Sequence, residues 1–201
     1  MKRLVTSVAL LAVLVCTAAA LADGSAVRVS GIQAPADTTA GAPGDPGYGI
    51  HRGARVAPFL SNAMAGSLVG CWYTDTFNLV SATPDGAIVG TGSEHFVGCL
   101  DLNRNGRCSR RDPAGSLALT YVFEGKYDPV TGQEISGGCQ HEIGSGTGAF
   151  AGATGRINFT DNVTNGTSNY LGHITLTDRG RAMVAKRAAA TAAVGRPSAM
   201  C

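Results

Sequence analysis

The sequence predicts an all-β protein, a small antiparallel barrel or sandwich. Short segments between residues 63 and 178 alternate apolar and polar side chains, as in SLALTYVFEGKYD, where one face carries Leu117, Leu119, Tyr121 and Phe123. Turn motifs such as PDG and DPVTG separate these segments at hairpin spacing. No segment shows a convincing helical period, so we expect strands throughout the domain.

The first 22 residues have the pattern of a secretory signal peptide. Lys2 and Arg3 precede an apolar run over residues 4–15, and Ala20-Leu21-Ala22 supplies an A-x-A cleavage site. The run is shorter than the roughly 20 residues that spanning a bilayer requires. We therefore expect a secreted, extracellular protein with no membrane segment after cleavage.

Two segments of biased composition flank the predicted domain. Residues 23–62 are rich in Gly, Ala, Pro and Asp without an apolar period, which predicts a disordered, flexible leader. Residues 179–201 are rich in Ala and Arg and predict a frayed tail. Only 15% of the 201 residues are charged and the formal net charge is +2, so we expect no nucleic-acid partner.

A glycine-rich segment carries a resemblance to a known family. GSGTGAFAGATGRINFTDNV, at 144–163, together with the following NYLGHITL, resembles the glycine-rich segment and closing strands of the allene oxide cyclase barrel-like proteins, and dirigent proteins carry a similar segment. The resemblance implies a small, calycin-like, eight-stranded antiparallel β-barrel over 63–178, in which homo-oligomers are common. The closely spaced glycines also let a barrel strand bend sharply while Phe150 plugs the interior.

The resemblance also implies a function inside the barrel. Cyclases of this family hold an oily chain and convert a strained epoxide to a ring without a cofactor. We therefore expect an apolar small-molecule ligand and a cofactor-free cyclase or isomerase activity. Outside the glycine-rich segment the family's polar catalytic positions do not match particular residues of this chain, and fold alone does not transfer activity. The alternative is a non-catalytic extracellular barrel, stabilised by disulfides or calcium, with a lumen filled by side chains.

Three titratable side chains are the candidate catalytic residues: Glu94, Glu124 and His141. Glu94 and His95 are neighbours in a strand, so only one of them can face the interior, and the same holds for His141 and Glu142. Glu124 has the opposite parity to the apolar set of its strand, which indicates a solvent face if that set lines the core. An interior Glu beside a His would form an acid/base pair, and a hydrogen-bonded structural role is the alternative for each residue.

Five cysteines remain after the predicted cleavage, and in an exported protein cysteines usually form disulfides. Cys99 and Cys108 bracket a loop between two strands and are the first predicted pair. Cys71 and Cys139 are the second predicted pair, which leaves Cys201 free.

The loop DLNRNGRCSRRD, at 101–112, matches a calcium-loop pattern at every position but the last. Gly106 supplies the sharp turn at position 6. Positions 1, 3, 5, 7, 9 and 12 would donate oxygen from Asp101, Asn103, Asn105, the Arg107 carbonyl, Ser109 and Asp112. Only two of these are carboxylates, and four arginines in the loop raise the local positive charge. Because Asn, Asp and Gly also build ordinary tight turns, both a calcium site and a plain turn fit the sequence.

Overall fold

The computed structural model describes residues 26–35, 50–51, 54–55, 61–110 and 112–182. The predicted signal peptide and nearly all of the predicted tail lie outside these residues. The strands within them are β1 (Ala26–Pro35), β2 (Ile50–His51), β3 (Ala54–Arg55), β4 (Ser61–Gly66), β5 (Leu68–Ala82), β6 (Ala87–Leu100), β7 (Ala114–Tyr127), β8 (Glu134–Gly146), β9 (Thr154–Asn162) and β10 (Thr167–Thr175). Gly148–Phe150 form a 3-10 helix, and residues 178–182 are helical. None of the helices in this described part has the length and apolarity needed to cross a membrane.

Eight of the strands close into an antiparallel barrel in the order β1-β10-β9-β8-β7-β6-β5-β4, while β2 and β3 pair only with each other. The predicted all-β class and the eight-stranded antiparallel barrel are therefore confirmed. The barrel begins earlier than predicted, because β1 lies within the segment 23–62 and pairs with both β10 and β4. Its short apolar alternation, with Val29 fully buried, is hidden in the sequence by the Gly, Ala and Pro on either side.

The two ends of the barrel differ in the length of their connections. The hairpin end carries three short turns, at 83–86, 128–133 and 163–166. The loop end carries the longer connections 101–113 and 147–153. Buried side chains fill the barrel from the loop end to its middle: Val29, Met64, Leu68, Trp72, Phe96, Leu100, Leu117, Leu119, Ile143, Phe150, Ala153, Ile157, Phe159, Tyr170, Ile174 and Leu176.

Phe150 of the glycine-rich segment plugs the barrel interior, as predicted, and it does so at the loop end. Phe150 is fully buried and its ring centroid lies 6.2 Å from that of Phe96. At Gly155 the backbone has φ +137°, and an added Cβ would lie 2.2 Å from the carbonyl oxygen of His173. Only glycine fits there, because β9 and β10 approach closely at this point.

A β-bulge in β5 decides which of its side chains enter the barrel. The register between β5 and β6 shifts between Thr74 and Thr76, so one extra residue, Asp75, interrupts the alternation. Trp72 points inward before the bulge, and Phe77, the partner of Gly92, shares the inward face after it. Side chains of opposite sequence parity therefore line the same lumen.

The predicted disulfide between Cys99 and Cys108 is present, with their Cα atoms 5.7 Å apart. The predicted pairing of Cys71 with Cys139 is wrong, because Cys139 is a free thiol. Cys139 packs against the inner core of the barrel, whereas Cys71 follows the opposite parity to inward Trp72 on β5. Cys71 takes part in a disulfide bond. The prediction that Cys201 is free lies outside the described residues.

Candidate functional site

Two of the three candidate catalytic residues meet inside the barrel. Glu94 extends from β6 and His141 from β8, and Glu94 Oε2 lies 2.7 Å from His141 Nε2. Glu94 pairs with Leu119 and His141 with Tyr121, so the two side chains meet diagonally across β7. The His141 side chain is 2% exposed and the Glu94 side chain 11%.

Both carboxylate oxygens of Glu94 accept hydrogen bonds. The indole N–H of Trp72 donates to Oε2, the oxygen that also faces His141, and the Thr74 hydroxyl donates to Oε1 at 2.8 Å. Trp72 and Thr74 lie on β5, the strand that pairs with β6 on its other side. Three strands thus fix the position of one carboxylate.

The partners of His141 determine where its protons lie. Its Nδ1 is 3.2 Å from the carbonyl oxygen of Ile157, which can only accept, so Nδ1 carries a hydrogen. A neutral ring then has no hydrogen on Nε2, yet Nε2 and Glu94 Oε2 are at hydrogen-bond distance. One further proton must lie between them, either on the imidazole or on the carboxyl group. Donation from Nδ1 to Ile157 therefore implies one hydrogen bond, with one proton, between Glu94 Oε2 and His141 Nε2.

Aromatic rings surround the pair of Glu94 and His141. The His141 ring centroid lies 5.2 Å from that of Trp72, 5.4 Å from that of Tyr121 and 4.8 Å from that of Phe159. Burial and the nearby Glu94 carboxylate raise the pKa of Tyr121 well above its usual range, so its hydroxyl stays protonated. That hydroxyl donates to the carbonyl oxygen of Thr76 at 3.1 Å.

The neighbours of the pair in sequence lie on the outside of the barrel. His95 stacks on Tyr73 and its Nδ1 lies 2.7 Å from Asp75 Oδ1. Glu142 forms an ion pair with Arg156. Glu124 is exposed on the opposite face of β7 from the apolar set, as its parity indicated, and the structure does not bring it to Glu94 and His141.

From the pair to the hairpin end, the inward residues of β5 and β7 are apolar, whereas Glu134 and Asp161 lie near the Phe123 ring, beside Gly137. Phe77 is 52% exposed and Leu79 is 59% exposed. The ring of Phe77 lies against Gly90 on the inner wall of the barrel, because a Cβ added at Gly90 would touch that ring. Phe123 and Tyr127 continue this lining on β7, with ring centroids 6.5 Å apart.

Glu134 and Cys139 lie between the pair and the hairpin end, and both have raised pKa values. Burial, followed by the neighbouring Asp161 carboxylate, raises the pKa of Glu134. Asp161 is itself held by the Ser168 hydroxyl, which donates to its Oδ1 at 2.6 Å. Burial and the Glu94 carboxylate raise the pKa of the Cys139 thiol far above its usual range, so it is a poor nucleophile.

The predicted calcium loop lies at the loop end, beyond the end of β6. Asp101 and Asp112 are buried, and four other positions are at least partly exposed: Asn103, Asn105, Arg107 and Ser109. No group of three or more His, Cys, Asp or Glu side chains placed to hold a metal ion occurs in the part of the chain that the structure describes.

Comparison of the chain with protein-family models, with curated proteins and with solved structures found no match in any of the three. The resemblance to the allene oxide cyclase barrel-like family stays a prediction from the glycine-rich segment.

The sequence did not indicate three of the residues that build the site. Trp72 and Thr74 bind Glu94 across the sheet, and Tyr121 covers His141, but none of these residue types forms a recognisable motif. The one available signal was compositional, since Trp72 is the single tryptophan of the chain.

Proposed function

We propose that the barrel lumen binds an apolar small molecule, and that Glu94 and His141 act on it as an acid/base pair in a cofactor-free isomerisation or cyclisation. The observation that carries this proposal is the 2.7 Å contact between Glu94 Oε2 and His141 Nε2, buried among aromatic rings. A pair of this kind can both donate and accept a proton within one site.

The lining of the lumen supports an apolar ligand. On β5 and β7 the inward residues nearest the hairpin end are Phe77, Leu79, Phe123 and Tyr127, and the exposure of Phe77 and Leu79 leaves apolar surface uncovered by other side chains. Ligand sites are typically concave and apolar, with a few polar groups that fix orientation. Glu94 and His141 would be those groups, and the ligand would enter from the hairpin end.

The chemistry balances without a co-reactant. The pair would donate its proton to an oxygen of the substrate and recover a proton from a substrate carbon as the ring or double bond forms. The product is then an isomer of equal mass. Trp72 and Thr74 would hold the Glu94 carboxylate in place throughout, and the surrounding rings would keep water from intercepting the intermediate charge.

Fluorescence of Trp72 tests the binding step, because this single tryptophan contacts Glu94 directly. We expect saturable quenching when the full chain is titrated with oleic acid or with 1-anilinonaphthalene-8-sulfonate. The Cys139 thiol should react slowly with N-ethylmaleimide because its pKa is raised, and bound probe should slow this labelling further, as measured by peptide mass spectrometry. Phe77→Asp at the hairpin end should weaken binding, whereas Val122→Asp, an equally apolar but outward position on β7, should not. Unchanged fluorescence and unchanged labelling at saturating probe would reject a ligand-binding lumen.

An unsaturated C18 fatty-acid epoxide tests the chemical step. The wild-type protein should convert it to a cyclic isomer of the same mass, and Glu94→Gln should abolish the conversion while still binding oleic acid. Glu124→Gln is the matched control, since Glu124 is exposed on the outer face. Equal conversion by the wild type and by Glu94→Gln would reject catalysis by the pair.

A non-catalytic barrel, stabilised by disulfides, is the second candidate. The observation that favours it is that the carboxylate oxygens of Glu94 already accept hydrogen bonds from Trp72 and Thr74, as they would in a purely structural network. The probe titration separates the two candidates. Under either one we propose an exported protein, and the disulfide between Cys99 and Cys108 supports an oxidising compartment.

A further inference from the structure

We propose that the loop over residues 101–112 binds a calcium ion, with Asp101 as its central ligand. The proposal does not depend on the function of the lumen. Asp101 is 2% exposed, and its Oδ1 oxygen is buried without a hydrogen-bond partner. Asp101 also takes part in none of the ion pairs found among the described residues.

An unpartnered carboxylate oxygen in a buried position is unfavourable, because water is excluded and no protein donor replaces it. The other oxygen of Asp101, Oδ2, accepts a hydrogen bond from the Gly106 amide at 2.7 Å. This bond ties the carboxylate to the sharp turn of the loop, with Oδ1 as its second, unpartnered oxygen. A cation beside Oδ1 would supply the missing positive partner.

The amides at positions 3 and 5 of the loop are already ordered. Asn103 Oδ1 accepts from the Asn105 amide at 3.2 Å, and Asn105 Oδ1 accepts from the Arg107 amide at 2.9 Å. Each of these oxygens has a second lone pair that can face a cation. Three oxygen-bearing side chains are therefore held by the backbone of the same turn before any ion binds.

The two ends of the loop are also fixed. Asp112 at position 12 is 3% exposed, and its Oδ2 accepts from the Ser109 amide at 2.7 Å. The Leu100 amide donates to the carbonyl oxygen of Pro113 at 2.8 Å, and the disulfide of Cys108 pins the middle of the loop to β6. The strands and the disulfide hold this loop closed in place of the two helices that usually flank a calcium loop.

A turn elsewhere in the barrel shows what plain turn chemistry looks like in this protein. Asp128 begins the turn 128–133, and its Oδ1 accepts from the amides of Val130 and Thr131. It achieves this at the surface of the barrel, without burying an unpartnered oxygen. In Asp101 one oxygen is sufficient for the turn, so the requirements of a turn do not explain why the second oxygen is buried without a partner.

The donor set favours calcium among the metal ions. The side chains offer oxygen only, which suits a hard cation, and the spacing of oxygens along a 12-residue loop suits calcium. Two carboxylates and several arginines imply weak binding, with a dissociation constant on the order of 10⁻⁴ to 10⁻³ M, as in extracellular modules.

Calorimetry and thermal unfolding of the oxidised full chain with calcium chloride test the proposal. We expect saturable heat and a rise in Tm of about 3–6 °C at about 5 mM calcium. Asp101→Asn keeps an oxygen for the Gly106 amide but removes the charge, so it should lose the calcium response and be at least as stable as the wild type without calcium. Asn103→Ala, at an exposed position, should weaken binding several-fold. Asp128→Asn is the matched control and should leave the response unchanged.

Three results would overturn the proposal. The first is the absence of heat and of a Tm shift in the wild type at about 5–10 mM calcium, which is at least about five times the weakest dissociation constant expected. The second is a calcium response that Asp101→Asn retains in full. The third is an equal response to magnesium at the same ionic strength, because a general salt effect would produce it.

Discussion

Replacing Glu94 with glutamine tests whether the Glu94–His141 pair shares a proton. The substitution keeps the shape of the side chain but replaces one oxygen by an NH₂ group. In the wild type, Oε2 accepts from the Trp72 indole and also faces His141 Nε2. If the glutamine oxygen takes this place, His141 must carry a hydrogen on Nε2 that its neutral, Nδ1-protonated form lacks. If the NH₂ group takes it, the Trp72 N–H faces another donor.

Either arrangement loses one buried hydrogen bond, so Glu94→Gln should lower the free energy of unfolding by about 1–3 kcal/mol. Urea unfolding followed by circular dichroism, with Trp72 fluorescence as a second probe, measures the change. Glu124→Gln, exposed on the outer face, should stay within about 0.5 kcal/mol of the wild type. A Glu94→Gln variant as stable as Glu124→Gln would refute the proton assignment, because one orientation of the amide would then satisfy both Trp72 and His141.

Two further substitutions have defined expectations. Tyr170→Phe removes the hydroxyl that accepts a hydrogen bond from the buried Leu68 amide at 2.8 Å. The free energy of unfolding in urea should therefore fall by about 1–3 kcal/mol. A decrease no greater than that of Tyr127→Phe would contradict this role. Glu134→Gln should flatten the pH dependence of Tm. Folding raises the pKa of Glu134, so the folded state binds this proton more tightly than the unfolded chain does. The stability of the wild type therefore falls as pH rises from about 4.5 through the folded pKa. Parallel Tm curves for wild type and variant between pH 4 and 8 would show that burial of Glu134 is not coupled to folding.

The fold could be predicted because alternation and turn chemistry are local properties. The apolar alternation of β7 and the turn residues at 128–133 specify hairpins without knowledge of the rest of the chain. The pair of Cys99 and Cys108 was equally accessible, since both lie on one connection. β1 was not predicted because its apolar alternation is short and the flanking sequence is rich in Gly and Pro, which obscures the alternation over a longer stretch.

The site depended on relations between distant strands. Parity showed that only one of Glu94 and His95 could face inward, but not which one. Which of these two residues faces inward depends on how the barrel closes and on the bulge at Asp75, which brings Trp72 and Phe77 onto one face. The same limitation explains the wrong pairing of Cys71 with Cys139, because sequence spacing does not reveal that one lies outside the barrel wall and the other inside.

The pairing of the first described strand with the last sets the order in which this chain can fold. Ala26 pairs with Thr175 and Gln33 with Ser168, so the seam between β1 and β10 joins opposite ends of the domain. Contacts of such high sequence separation form slowly, since the loop entropy must be overcome before they are gained. During synthesis β1 has no β10 to pair with until nearly the whole domain has emerged. Barrel closure is therefore expected to be a late event in folding, and an incomplete chain would present open strand edges that the finished protein conceals.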